Sequence, residues 1–162
     1  MNIFYLDECP VESAKAQCDK HVVKMILETA QLLSTAHRVL DGDERADADG
    51  LYKATHKNHP SAVWARECAG NYYWAHQHLA ALCAEYTRRY HKTHKTERLL
   101  APLALIPSAI SPNKALTDVP QCMPDAYQCG DSVAAYRDYY QQDKLSQPWA
   151  KYAHTEAPAW AM

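Results

Sequence analysis

The sequence predicts a mainly α-helical chain folded as a single domain over residues 1–162, and three features predict it. Apolar residues recur at three- and four-residue intervals over two long stretches, the period of an amphipathic helix. The chain has only four glycines, and five of its nine prolines fall within residues 102–124, outside both periodic stretches. Its length is enough to bury a core without a metal or disulfide support.

Taken in order, NIFYL at residues 2–6 is a β-prone run closed by Asp7 to Pro10, which predicts a short N-terminal strand. A strand needs a partner: either Leu103–Ile106 or the same strand of a second subunit, the latter making a homodimer. Pro10 opens a helical turn, and DKHVVKMILETAQLLSTAHRVL follows as the first long helix, with Val22, Ile26, Ala30, Leu33, His37 and Leu40 on its apolar stripe. A histidine on such a stripe is more often a neutral, hydrogen-bonded core residue than a functional one. The other side gathers Lys20, His21, Lys24, Glu28, Gln31, Thr35 and Arg38.

Residues 41–54 are acidic, carry two glycines, and are expected to form a mobile loop. Pro60 then starts a second long helix, because proline suits the first helical position. Asn58 or His59 is its expected cap, and the helix is expected to run to about His91 with Trp64, Cys68, Ala75, Leu79, Leu82, Tyr86 and Tyr90 on the buried face. Glu67, Asn71, Trp74 and His78 form another row, read as a pocket lining. HKTHKTER at 91–98 is a basic turn, 102–124 an extended Pro-rich wrapping segment, and Asp131 or Ser132 caps a final helix bearing Tyr136, Arg137 and Tyr140. Trp149 and Trp160 in the tail are expected to dock on the body.

Composition excludes several function classes. With 17 Lys+Arg against 19 Asp+Glu there is no overall basic field to attract duplex DNA. The six cysteines include no C-x-x-C pair and are expected to be reduced. No His-E-x-x-His zinc spacing, no nucleophile elbow and no Gly-rich phosphate loop occurs, so neither a metal nor another cofactor is expected. No signal peptide and no stretch long enough to span a membrane is apparent, and the expected location is the cytoplasm.

What remains is THKNHPSAVWAR, residues 55–66. Unpaired amides and the helix dipole at the Pro60 start favour an anion. His56, Lys57, Asn58, His59 and Arg66 surround it, Lys20, His21 and Lys24 lie on the first long helix, and Trp64, Trp74 or a tyrosine is placed to stack a base, with Arg137 and Tyr140 as outer candidates. The pattern points to a phosphate-bearing, nucleotide-like small molecule as the partner, with nucleic acid less favoured. The alternative is a phosphodiesterase or DNA glycosylase using acid–base chemistry at Glu28, Glu67 or His59.

DKHVVKMILETAQLLSTAHR and THKNHPSAVWARE, with QCMPD and YRDYY, resemble a family of short, largely uncharacterised proteins of tailed bacteriophages. That setting implies, by analogy alone, a protein that sequesters a cyclic-nucleotide or ADP-ribose-like immune signal in the host cytoplasm. The phage pyrimidine-dimer glycosylase also resembles this chain in size and helical content. It uses an N-terminal threonine amine, whereas this chain starts Met1-Asn2, where the initiator methionine is expected to stay, a departure from that mechanism.

Overall fold

Both long periodic stretches fold as helices in the computed structural model, which describes residues 1–162. The short α1 (Pro10–Lys15) leads into α2 (Asp19–Asp41), whose stripe Val22, Ile26, Ala30 and Leu33 is wholly buried. Gly42, at φ +83°, ends α2 in a conformation that side chains rarely adopt. The long α5 (Ala69–Tyr90) lies across α2 and buries Ala75, Leu79 and Leu82 against it.

The second long stretch is two helices rather than one. α4 (Pro60–Glu67) stops at Cys68, which is fully extended at φ −156° and ψ 166°, and α5 starts anew. The break is set from far along the chain. The Pro-rich segment crosses here, so that the amides of Ala69 and Gly70 donate to Ser111 O and Asn113 O instead of to the preceding turn. Asn71 seals the junction by donating to Trp64 O (2.9 Å) and Thr117 Oγ1 (2.8 Å).

Gly70 serves this close crossing and not a bend. A Cβ there would lie 2.4 Å from Lys114 O and 2.6 Å from Ala115 O, both backbone atoms that cannot swing aside. Gly70→Ala is therefore expected to destabilise the protein by about 2–3 kcal/mol, the upper part of the range for overpacking. Urea unfolding checks this, and an unchanged midpoint would show that the crossing segment yields freely.

Residues 2–6 form no strand. The Asn2 side chain accepts from the amides of Ile3 (2.7 Å) and Phe4 (2.9 Å), Phe4 turns into the left-handed region at φ +54°, and Ser13 Oγ bridges Phe4 O and Leu6 N. Ile3, Phe4, Tyr5 and Leu6 are all buried, so the apolar run is a plug in the core. With no strand edge, the intersubunit pairing expected for a homodimer loses its basis.

The acidic connector is also more ordered than expected. It contains α3 (Asp43–Ala48), tied down by the buried Arg38, which donates to Asp43, Asp47 and the carbonyls of Leu51 and Tyr52. A 3₁₀ turn (Lys95–Leu99) leads into α6 (Leu100–Leu103), which takes up the first two residues of the expected wrapping segment; the rest of it runs without helix, through turns at 104 and 108–109, to a short 3₁₀ turn at Asp125–Tyr127. α7 (Ser132–Tyr139) is capped by Asp131 and relaxes into a π turn at 140–144. Trp149 docks on His21, and Trp160 on Tyr140 and Arg137. Arg89, with no exposed side-chain surface, joins α5 to the α1–α2 corner through Glu85, Asp19 and the carbonyls of Lys15 and Gln17.

Candidate functional site

The loop before α4 is laid along the polar side of α2 by a reciprocal pair of hydrogen bonds. Thr35 Oγ1 donates to Thr55 O (3.3 Å) and accepts from Thr55 N (3.1 Å). His56 then takes a left-handed φ of +46°, and the amide of His59 closes the turn on His56 O (2.9 Å). This brings His59 to the start of α4, where its Nδ1 accepts from Ser61 N (3.1 Å). An accepting Nδ1 leaves the proton of a neutral ring on Nε2, which is free to donate.

A different part of the chain closes the other side. Asn2 Nδ2 donates to Cys122 O (2.9 Å), and Cys122 Sγ lies 3.4 Å from Ser61 Oγ in the first turn of α4. The chain's first residue is thereby held beside His59. The His59 pKa is lowered by burial first, then by the charges of the Met1 amino group and of His56, while Glu28 opposes them. Four ionisable groups thus share one neighbourhood: the Met1 amine, Glu28, His56 and His59. Glu28 is mostly sheltered and sits 3.3 Å from Lys24 Nζ, one turn back on α2.

The residues expected from sequence to bind a ligand do not all meet. Lys24, His56, Lys57, Asn58 and His59 do gather around this cluster, with Lys57 and Asn58 exposed on its rim. Lys20 is exposed over the Trp149 ring. His21 and Tyr140 are buried and bonded to each other (2.8 Å), with Tyr140 also accepting from Cys18 N. Trp64 is a core residue whose Nε1 donates to Thr117 O, so it offers no face to a base. Arg66 lies in a shallow groove with Leu40, Val63 and Asp118. Arg137 is engaged with Leu6 O, Asp7 and the Trp160 ring.

The expected pocket row is not a pocket. Asn71, Trp74 and His78 are buried, Trp74 donates to Glu8 O, and His78 bonds Pro10 O and Gln17. Glu67 accepts from Thr117 and Asn71 at the far end of α4 from the cluster. No group of three or more His, Cys, Asp or Glu side chains is placed to hold a metal ion. The anion cradle is altered too, since the Ser61 amide is already satisfied by His59.

Sequence reasoning missed Met1 and Asn2. Nothing in their local pattern marks them, because their role depends on Cys122, far along the chain. The assembled chemistry is a sheltered carboxylate beside amines and an imidazole N–H, which suits proton transfer and attack on an electrophilic carbon better than plain anion binding. The family model for pyrimidine dimer DNA glycosylase matches residues 1–98. No curated protein and no solved structure matches. The family match overturns the expectation that the protein sequesters a nucleotide-like signal, and the burial of Trp64 and Trp74 removes both indoles as stacking surfaces.

Proposed function

The chain belongs to the pyrimidine dimer DNA glycosylase family, and on that premise we propose that it is an enzyme that excises a damaged pyrimidine from DNA at the Met1, Lys24, Glu28 and His59 cluster. The observation that carries this reading is the convergence of the chain's first residue, the middle of α2 and the start of α4, all inside the matched residues 1–98. DNA is then the substrate, with the damaged base taken out of the stack to reach the cluster.

Two amines stand at hand: the Met1 amino group and Lys24 Nζ, 3.3 Å from Glu28 Oε1. Attack by an amine on the sugar C1′ forms a C–N bond as the bond to the base breaks. The base leaves C1′ with that electron pair and takes up a proton, and it stays joined to its dimer partner through the cyclobutane ring. Glu28 removes a proton from the attacking nitrogen and delivers it to the ring oxygen O4′, and the sugar opens to an imine. Neutral His59, with Nδ1 committed to Ser61, offers Nε2–H to a sugar or phosphate oxygen. His56, Lys57 and Asn58 form a rim suited to backbone phosphates, which position a duplex without reading its sequence.

The test is a duplex carrying a single thymine dimer, incubated with the protein and borohydride. Amine attack yields a reduced, covalent protein–DNA adduct whose peptide maps to Met1 or Lys24. Glycosidic cleavage without an adduct would transfer the attack to water activated by Glu28. A duplex left with neither an abasic sugar nor strand scission would remove the glycosylase reading.

A further inference from the structure

The basic turn at 91–98 packs against the first half of α2 and against the loop that leads to the cluster, and the fold leaves its two lysines unpaired. His94 Nδ1 accepts from Thr96 N (3.1 Å), and its ring lies against the backbone of Val23 on α2. Thr96 Oγ1 bonds Tyr52 Oη (2.7 Å), and Arg98 reaches over the Tyr52 ring to donate to Gly50 O (3.1 Å). The 3₁₀ turn therefore sits between the first half of α2 and the loop that leads to His56 and Lys57. Val23 is five residues before Glu28, about 7.5 Å along the helix axis.

Lys92 and Lys95 are exposed and make no ion pair or hydrogen bond, and Arg98 has no carboxylate partner. Glu97, half-buried, is the one acidic residue of the turn. The acidic residues of the neighbouring connector do not neutralise them: Asp43 and Asp47 are held by Arg38, Asp47 also by Lys53, and Asp49 by Arg45. Aromatic rings interleave with the cations. Tyr86 packs on Tyr90 and on the edge of His94, and Tyr90 on His154. The near-neutral charge of the whole chain thus conceals a local positive face.

Resting on the glycosylase reading, the geometry points to this face, carrying Lys92, Lys95 and Arg98, as the seat of the duplex that flanks the lesion. An enzyme that draws a base out of the stack has to hold the backbone beside it. Free lysines on a turn packed against α2 and the loop that leads to His56 supply that hold.

The experiment compares the full chain with its Lys92→Gln/Lys95→Gln variant on a labelled duplex of about 30 base pairs across a salt series. Each lost phosphate contact lowers the log–log salt slope by about 0.9. The expected result is a slope reduced by about 1–2 and roughly tenfold weaker binding at low salt. Melting temperature and single-turnover glycosidic-bond cleavage at saturating enzyme should not change. Identical affinity and slope in wild type and variant overturn this surface while leaving the glycosylase reading intact. A wild-type protein that binds and cleaves no dimer-containing duplex overturns that reading as well.

Discussion

Glu28→Gln is expected to lower glycosidic-bond cleavage in a dimer-containing duplex by about a thousand-fold while leaving the protein folded. The size follows from its role. A positioned acid–base group contributes roughly 10²–10⁴ in rate, and about a thousand-fold corresponds to ~4 kcal/mol of barrier. Gln keeps the shape and the polarity but can neither take the amine's proton nor return it to O4′. The structural cost is small by comparison. Glu28 faces Lys24, whose side chain is 61% exposed, and such a pair contributes at most about 1 kcal/mol. Glu67→Gln makes the contrast. Glu67 accepts from Thr117 Oγ1 (3.0 Å) away from the cluster, so its loss should loosen the wrapping segment and spare the rate. Single-turnover kinetics with thermal melts of both variants check this. Wild-type rates in the Glu28 variant would remove the carboxylate from the mechanism.

Those features that depend on neighbours in the chain were legible in the sequence. The stripe of α2, the start of α4 at Pro60, the cap at Asp131 and the helix-free course of 104–124 all follow from local periodicity, proline chemistry and capping. Features decided by remote backbone were not. The break at Cys68 is imposed by carbonyls of Ser111 and Asn113, and the acceptor for the Trp64 Nε1, a side chain already expected on the buried face, is the equally remote Thr117 O. NIFYL failed for another reason: a short apolar run has no period that separates a strand from a core plug, and here the Asn2 side chain takes the amide bonds that a strand partner would have supplied.

The site divides in the same way. Lys24, Glu28, Lys57 and His59 are recognisable by type and by their place near a helix start. That Glu28 shares a neighbourhood with His59 and Met1 depends on the Thr35–Thr55 and Asn2–Cys122 bonds, which no spacing reveals. Arg137 and Tyr140 have the right chemistry for a ligand, but the fold already uses them at Asp7 and His21. Net charge disfavours duplex DNA only because it averages a basic turn with an acidic connector.

Acidification from pH 7 to pH 5 is expected to cost about 4 kcal/mol of stability, a large share of the roughly 5–15 kcal/mol typical of a folded domain. Two buried histidines set this. His78 donates from Nδ1 to Pro10 O (3.0 Å), since a carbonyl can only accept, and its Nε2 therefore accepts from Gln17 Nε2 (3.2 Å). His21 faces Tyr140 Oη (2.8 Å), which accepts the Cys18 amide and so turns its own proton toward Nδ1. Both rings are held neutral. Burial brings each pKa down to about 4, helped at His21 by Lys24, Lys144 and Lys20. In the unfolded chain a histidine binds its proton near pH 6.5. The unfolded state therefore binds more protons between pH 6.5 and 4, and stability falls as pH falls through that window. At pH 5 the loss is about 2 kcal/mol for each ring, since one pKa unit corresponds to ~1.4 kcal/mol. His37, His59 and His94 are lowered in the same direction and add to it. Carboxylates held low, such as Glu85 beside Arg88 and Arg89, lose their contribution only at lower pH. Urea unfolding at pH 7.5, 6.5, 5.5 and 5.0 should give a stability that is level above about pH 7 and steepens below 6.5, with an uptake of about two protons on unfolding near pH 5.5. A stability unchanged from pH 7 to pH 5 would mean that the two rings are charged in the native state, and the hydrogen-bond directions assigned to Gln17 and Tyr140 would have to be reversed.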